Sequence, residues 1–232
     1  MTDVNESERC EMEELTVKGI ILATAPQGEY GRRISLLTDR FGRITVFASG
    51  AARSGSHIIG STRPLTCAEF DLAKGRSAWN LHSVRVIESF GELPLDIDVS
   101  FYAAYVLELG EFFSEAGMPE EESRALLNLM YVTLLALKQK ALSPALIRRI
   151  LELRLLKLQG EYTMTPPGTS DPDADKLWKY VLASSLTGLY DPGRIPVPSG
   201  TEAAEAFMNN AEILFTRQIS HHFRASDILH EL

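Results

Sequence analysis

The sequence has few cysteines and lacks the signatures of common enzyme classes. Only two cysteines, Cys10 and Cys67, occur among its 232 residues, and neither belongs to a Cys-x-x-Cys or Cys/His cluster. A disulfide framework and a zinc site are therefore unsupported. There is also no P-loop, no Gly-x-Ser-x-Gly elbow, no His-Glu-x-x-His motif and no EF-hand loop. These motifs therefore give no reason to expect an enzyme, a metal or a cofactor, although a catalytic site assembled from residues distant in the sequence stays open.

Long apolar runs are missing as well. The chain has no uninterrupted apolar stretch of about 18 residues, the minimum expected of a membrane-spanning helix. Residues 1–14 are acidic and polar, which is unlike a secretory signal. We therefore expect a cytoplasmic protein.

Basic residues are outnumbered overall, but they are unevenly distributed. The net charge is −8. Residues 1–14 hold one basic and six acidic residues, residues 15–90 hold ten and five, and residues 91–232 hold twelve and twenty. A basic segment thus lies between two acidic ones. This pattern favours an anionic ligand on the first segment only slightly, because excesses of this size also arise by chance.

The first part of the chain has the short apolar runs and turns of a β domain. Five strands are predicted: Leu15–Ala23, Arg33–Thr38, Arg43–Ala48, Leu65–Leu72 and Trp79–Glu88. The connections leave no room for crossover helices, so the strands predict a small antiparallel barrel or sandwich. We assign this domain to residues 15–92 and treat residues 1–14 as a flexible acidic tail.

After Pro94 the hydrophobic period changes to that of α-helices. The predicted helices are Ser100–Ala116, a helix from Glu120 to Lys140, a helix with Ser143 as N-cap that ends at Gln159 before Gly160, Lys176–Leu186 and Glu202–Phe223. A loop rich in Thr, Pro, Gly and Asp spans residues 162–173. The fold class is therefore α+β, with an all-α domain over residues 93–232.

Arginines are concentrated between Arg32 and Arg63, where Asp39 is the only acid. The guanidinium fork suits phosphate oxygens, and neutralising phosphates releases counterions. Arg33 shares a predicted strand face with Ser35, and Arg43 shares one with Phe47, so a hairpin would present one basic surface with an exposed ring. The candidate DNA contacts are Arg32, Arg33, Arg43, Phe47, Arg53, Arg63 and Arg76. The alternative, that these are ordinary solvated side chains, stays open.

Several segments resemble the RecO family of bacterial recombination mediators. They are Val17–Leu22, Ser35–Arg53, Pro64-Leu65, Val86–Phe90 and, more weakly, Ser143–Glu152. The resemblance implies an OB-fold followed by a helical domain in a nucleoid-associated protein without enzymatic activity. It also implies binding of single- and double-stranded DNA, annealing of complementary strands, and cooperation with RecR and single-stranded DNA-binding protein to load RecA.

Two further expectations depend on this resemblance. The helical domain of the family receives the acidic, apolar C-terminal tail of single-stranded DNA-binding protein, and Arg148 and Arg149 are the candidates to bind its carboxylate. Many members also carry a four-cysteine zinc motif after the helix that ends here near Gly160. This chain has no cysteine after Cys67, so zinc is not expected and the loop 162–173 takes the place of that module.

A different class of function fits part of the same pattern. In a protein-interaction adaptor, the barrel would present Arg33, Arg43 and Arg53 to an acidic protein, and DNA would bind weakly or not at all. The net charge of −8 favours this alternative, whereas the interleaving of aromatic residues with arginines favours DNA. Binding to DNA in the absence of any partner discriminates between the two.

Overall fold

The computed structural model describes residues 14–49, 58–75, 78–168 and 171–231. The strands are β1 (Glu14–Gln27), β2 (Gly31–Thr38), β3 (Arg43–Ala48), β4 (Thr66–Lys74) and β5 (Trp79–Ser89). The helices are α1 (Ile58–Ser61), α2 (Ile97–Phe113), α3 (Glu120–Gln139), α4 (Pro144–Gln159), α5 (Pro172–Ala183), α6 (Glu202–Gln218) and α7 (Arg224–Glu231). Almost all of the acidic tail expected over residues 1–14 lies outside the described residues.

The five strands form a closed barrel in the order β1-β2-β3-β5-β4, which is the arrangement of an OB-fold. The long strand β1 pairs with β4 through its first half and with β2 through its second half. All neighbouring pairs are antiparallel except β3 and β5, where Val46 and Phe47 pair in parallel with Trp79 and Asn80. An odd number of strands cannot alternate in direction around a closed barrel, so one parallel pair is required. The expected α+β fold is confirmed, with this parallel pair added.

Alternating burial along the strands explains why this sequence forms a barrel. In β3, Val46 and Ala48 are buried, whereas Arg43 and Thr45 are exposed. The inward side chains form a compact apolar core inside the barrel, which contains Val17, Ile21, Ile34, Leu36, Val46, Ala48, Ala68, Phe70 and Leu72. The period of two that predicted the strands therefore also assigns their outward side chains, which are the ones free to meet a ligand.

The helices pack on one side of the barrel through a shared hydrophobic core. Barrel residues Ile20, Leu37 and Phe90 belong to the same buried cluster as Leu109, Leu134 and the other core residues of the helices. The barrel thus contributes to the core on which α2 and α3 pack. The division into residues 15–92 and 93–232 remains a prediction.

The helix boundaries follow the local capping signals but differ from expectation in several places; α2, for example, spans Ile97–Phe113 rather than Ser100–Ala116. Helix α4 ends at Gly160 in the left-handed conformation as expected, but its N-cap Ser143 makes no capping hydrogen bond through its side chain. Helix α5 begins earlier than predicted, because Asp171 accepts hydrogen bonds from the backbone N–H groups of Asp173 and Ala174. The last predicted helix is divided in two, because Ile219 adopts an extended conformation after α6.

The loop that follows α4 is tied to α5 and α6. The indole N–H of the buried Trp178 donates a hydrogen bond of 2.9 Å to the carbonyl oxygen of Thr163. Gly168 lies so close to the buried Asn210 that a Cβ atom at Gly168 would overlap the Asn210 side chain. The described part of the predicted loop 162–173 is thus packed on the helical domain.

The turn between β2 and β3 joins the barrel to the connection between α2 and α3. The backbone N–H of Gly42 donates to Ser123 Oγ at 2.8 Å, and the N–H of Arg43 donates to the carbonyl of Glu115 at 3.1 Å. In return, the N–H of Gly117 donates to the carbonyl of Phe41 at 3.0 Å. These bonds hold the arginine-bearing hairpin against the helical domain.

We expect Gly42→Ala to lower the free energy of unfolding by about 2 to 4 kcal/mol, as measured by urea denaturation. Gly42 has a φ of +64°, and a Cβ atom there would overlap the backbone carbonyl of Glu115. Gly117 is the matched control, because its φ is +80° but no atom surrounds the position of its missing Cβ. Gly117→Ala should therefore cost only about 1 kcal/mol of backbone strain. Equal losses would contradict the close packing of this turn.

Candidate nucleic-acid interface

Strands β2 and β3 bring the predicted contact residues onto one outer face. Arg33 pairs with Phe47, Ser35 with Thr45, and Leu37 with Arg43. Directly opposite residues in an antiparallel pair point to the same side, so the two arginines lie on one surface with the half-buried Phe47. We call this surface, defined by Arg33, Ser35, Arg43, Thr45 and Phe47, the basic face.

A groove of about 300 Å³ lies on the basic face. Arg33, Ser35, Arg43 and Thr45 line it together with Ala23–Ala25 of β1, and Glu111 of α2 is the one acidic residue in its lining. The exposed guanidinium of Arg33 has no hydrogen-bond or ion-pair partner among the described residues. Arg43 Nε donates to the carbonyl of Ser114 at 3.2 Å, which orients the guanidinium at the groove. The groove therefore offers two cationic forks to an anionic ligand.

A second groove of about 420 Å³ adjoins the first, because Arg43 and Thr45 line both. Lys74 and Trp79 contribute to this second groove. The half-buried ring of Trp79 stacks on Phe41 with a centroid distance of 6.4 Å and an interplanar angle of 27°. The Arg40 guanidinium lies over the other ring of this pair, 5.5 Å from the Phe41 centroid. Positive charge beside aromatic rings is the combination that holds single-stranded nucleic acid.

Sequence reasoning did not include Lys74, Phe41 or Trp79 among the contact residues. Phe41 lies in a turn and Trp79 begins a strand, positions that suit packing as well as binding. Only the parallel pairing of β3 with β5 shows that Trp79 lies beside Arg43. The sequence signal that could have identified this groove is the aromatic residue Trp79 close to Lys74 at the turn between β4 and β5.

The remaining predicted DNA contacts are placed differently. Arg32 points away from the basic face, since it neighbours Arg33 in the strand, and its Nη1 donates to the carbonyl oxygen of Thr62 at 3.2 Å. This contact ties β2 to the segment after α1. Arg63 is exposed, but the described grooves on the basic face do not include it. Arg53 and Arg76 lie outside the described residues.

The two arginines predicted to bind a partner form a buried network within the helical domain. Arg148 Nε donates to Glu152 Oε1 at 2.9 Å, and Arg149 Nη1 donates to Glu152 Oε2 at 2.8 Å. Tyr105 donates its hydroxyl proton to Glu152 Oε1 at 2.8 Å, and Arg149 Nη2 pairs with Glu212 at 2.6 Å. The Glu152 side chain is 0% exposed and that of Arg148 is 7% exposed. Both guanidinium groups are therefore already paired with carboxylates of this chain.

Burial and neighbouring charges both shift pKa values in this network. Burial by itself lowers the pKa of the Arg149 guanidinium, but the attraction of Glu152 and Glu212 outweighs burial, so the pKa is raised. Burial also raises the pKa of the Tyr105 hydroxyl, and the negative charge of Glu152 adds to this effect. The network therefore keeps its arginine charged and its tyrosine protonated. Binding of a partner carboxylate through Arg148 or Arg149 remains a prediction, and such a carboxylate would have to replace Glu212 or Glu152.

Burial shifts the pKa values of two further groups, Cys67 and Arg154, outside the basic face. Burial raises the pKa of the Cys67 thiol to about 11, so the thiol is protonated at neutral pH and unreactive. Burial lowers the pKa of Arg154, whose Nη1 donates to the carbonyls of Val181 and Ser184 at 2.9 and 2.8 Å at the end of α5.

Among residues 14–49, 58–75, 78–168 and 171–231, no group of three potential ligands has the geometry to hold a metal ion. No helix in these ranges has the length and apolarity needed to cross a membrane.

Comparison with known proteins connects this geometry to a family. Two family models match the chain, "Recombination protein O N terminal" over residues 12–90 and "Recombination protein O C terminal" over residues 94–163. Curated relatives named DNA repair protein RecO include those of Caldicellulosiruptor bescii, 32% identical over 150 residues, and Acetivibrio thermocellus, 32% identical over 149 residues. The aligned regions cover 64% of this chain in both cases, and 59% and 58% of the two relatives. The chain thus aligns with less than two thirds of the length of these relatives.

The closed barrel with its basic face, followed by a helical bundle, defines a class of protein that joins an OB-fold to an all-α domain. The two family models lie on either side of the junction between these parts and together match most of the chain. The chain belongs to the RecO family of DNA repair proteins. The resemblance noted in the sequence is thereby confirmed.

Proposed function

We propose that this protein is a recombination mediator that binds single- and double-stranded DNA on the basic face and anneals complementary strands. The observation that carries the proposal is the exposed guanidinium of Arg33, which has no partner in the part of the chain that the structure describes. It shares a groove with Arg43, and this groove continues to the ring of Trp79. Phosphates would bind the two arginines, and bases would stack on the aromatic ring. The curated relatives are named DNA repair proteins, which supports the same role.

The annealing step follows from charge neutralisation. Two complementary strands repel each other through their phosphates, and cations on the protein offset this repulsion while releasing counterions. Contacts to phosphates carry no sequence information, so such a surface accepts any sequence. The protein thereby needs no reacting group, which agrees with the prediction that it is not an enzyme.

The proposed partners follow from membership of the RecO family. We include RecR, the C-terminal tail of single-stranded DNA-binding protein and, indirectly, RecA, in a cytoplasmic and nucleoid-associated complex. The residues that would receive the tail are a separate question, because Arg148 and Arg149 are bound to Glu152 and Glu212. The DNA-binding part of the proposal does not depend on any partner.

Fluorescence anisotropy with a labelled single-stranded oligonucleotide tests the proposal on the purified full chain without partners. We expect binding at low salt, and a plot of log affinity against log salt concentration with a slope near −0.7 for each phosphate neutralised. Two to three such contacts would lower the affinity by about seven- to twentyfold between 50 and 200 mM salt. Absence of binding at low salt would contradict the proposal and favour an adaptor that presents the basic face to an acidic protein.

Phe47→Leu should weaken binding of single-stranded DNA by about fivefold or more, since an aromatic platform contributes about 1 to 3 kcal/mol per stacked base. Leucine keeps the apolar bulk of this half-buried residue but removes the flat ring. Phe47→Tyr, which keeps the ring, is the control and should bind like the wild type in the same anisotropy titration. If both variants bind equally well, Phe47 does not stack on a base.

A further inference from the structure

A second, apolar surface lies between α3 and α4, and none of the residues that define the basic face line it. Its first part is a groove of about 320 Å³ whose floor consists of Ala125, Leu126, Leu155 and Leu158. A neighbouring depression of about 540 Å³ includes Phe112, Phe113 and Ile219. Met118, Glu122 and Gln159 line both parts, so the two are continuous. We call this surface the α3–α4 groove.

Large apolar side chains are exposed to solvent in this groove. Leu158 is 41% exposed and Phe112 is 40% exposed, although the residues around them pack in the core. Leu126 and Leu155, by comparison, are 2% and 1% exposed. An apolar concavity with a polar rim is typical of a site that receives an apolar side chain from another molecule.

The rim of the α3–α4 groove is uniformly acidic. Glu121 and Glu122 line the first part, and Glu115, Glu122 and Glu161 line the second, whereas neither part has a lysine or arginine in its lining. All four carboxylates are exposed, and none forms an ion pair within the described parts of the chain. By contrast, the adjacent Glu120 pairs with Arg40 and Arg124.

The charges near the N-terminus of α3 have one structural explanation that covers only part of this rim. Glu121 and Glu122 lie in the first turn of α3, where carboxylates stabilise a helix through its dipole. Glu161 follows the end of α4, where the helix dipole disfavours a negative charge, and Glu115 lies between helices. Helix stabilisation therefore does not account for Glu115 and Glu161, whereas a cationic occupant accounts for all four carboxylates.

The wall of the groove is preorganised by the barrel. Ser123 Oγ accepts the N–H of Gly42 and donates to the carbonyl of Pro119 at 2.9 Å, and Gly117 donates to the carbonyl of Phe41. These bonds hold the connection from Glu115 to Pro119, which carries Met118 at the centre of the groove. A site that is already shaped loses less conformational entropy when it binds.

We propose that the α3–α4 groove docks a basic segment of a partner protein in which leucine or phenylalanine is flanked by lysine or arginine. The apolar side chain enters between Ala125 and Leu158, and the cations meet Glu121, Glu122, Glu115 and Glu161. The sign of the rim excludes an acidic peptide and nucleic acid, which carry the same charge as the groove. The acidic residues 1–14 of this chain are likewise not complementary to it. The inference does not depend on the proposed DNA-binding function.

Selection of random peptides displayed on phage against the full chain tests this inference without knowledge of the partner. The selected peptides are then synthesised with a fluorescent label, and their affinities are measured for wild type, for Glu121→Lys/Glu122→Lys and for Leu158→Asp. We expect peptides that combine an apolar residue with two or more lysines or arginines. Each groove variant should weaken their binding by at least about tenfold.

Two control variants match the groove variants in chemistry. Glu202→Lys/Glu205→Lys makes the same charge change in the first turn of α6, and Met164→Asp replaces an exposed apolar residue outside the groove. Both should bind the selected peptides like the wild type. The inference is overturned if no peptide is selected, if the selected peptides are acidic, or if the groove variants bind as tightly as the controls. Self-association of the chain through this groove in sedimentation equilibrium, abolished by Leu158→Asp, would also overturn it.

Discussion

Replacing both Arg33 and Arg43 with glutamate should weaken binding of single-stranded DNA by about a hundredfold or more at low salt. The two substitutions remove the cationic forks of the basic face and place two negative charges opposite phosphates. The remaining binding should depend less on salt than that of the wild type, because fewer counterions are released. Fluorescence anisotropy at two salt concentrations measures both quantities.

A matched control separates this local effect from the change in net charge. Lys176→Glu/Arg194→Glu makes the same charge change on two exposed residues of the helical domain, and should change the affinity by less than about fivefold. Thermal unfolding of the Arg33/Arg43 variant checks its folding, because Arg43 also donates to the Ser114 carbonyl. If a folded Arg33/Arg43 variant binds DNA like this control, the basic face is not the DNA site.

Replacing Glu152 with alanine should lower the free energy of unfolding by about 3 to 5 kcal/mol, as measured by urea denaturation. The carboxylate is fully buried and accepts from Arg148, Arg149 and Tyr105. Its removal leaves Arg148 buried without its carboxylate, which costs far more than the loss of a surface ion pair. Glu205→Ala, at an exposed position in the first turn of α6, is the control and should cost less than about 1 kcal/mol.

A further variant distinguishes lost pairing from lost packing. Arg148→Met/Arg149→Met/Glu152→Leu replaces the charged network by apolar side chains of similar length, and such replacements are often neutral or stabilising. We expect this variant to be more stable than Glu152→Ala. If Glu152→Ala costs less than about 1 kcal/mol, the network contributes little, and Arg148 and Arg149 are more accessible to a partner than the geometry indicates.

The barrel was predictable from the sequence because strand periodicity is a local property. Alternation in Arg43–Ala48 separated the buried Val46 and Ala48 from the exposed Arg43 and Thr45, as the structure has them. Gly160 likewise ended α4 where expected, because a left-handed conformation favours glycine. The prediction for the start of α5 is wrong by four residues, because the sequence pattern assigns Asp171 and Pro172 to a loop, whereas in the structure they are the N-cap and first residue of the helix.

Placement of the arginines depended on contacts between distant parts of the chain. Arg148 and Arg149 suit a surface site when only their own helix is considered. Tyr105 of α2 donates to Glu152, the carboxylate that both arginines share, and Glu212 of α6 pairs with Arg149. Both Tyr105 and Glu212 are far away in sequence. Arg32 is similar, because its contact with Thr62 requires that the segment after α1 lie beside β2.

By itself the sequence determined the strands, most helix ends, the outward position of Arg33 and Arg43, and the family resemblance, because all of these depend on residues close together in the chain. Only the tertiary structure decided that β3 runs beside β5, which places Trp79 next to Arg43. It also decided that Leu158 of α4 meets the acidic first turn of α3. The physical reason is that grooves form between elements, and which elements become neighbours is decided by closure of the barrel and packing of the shared core.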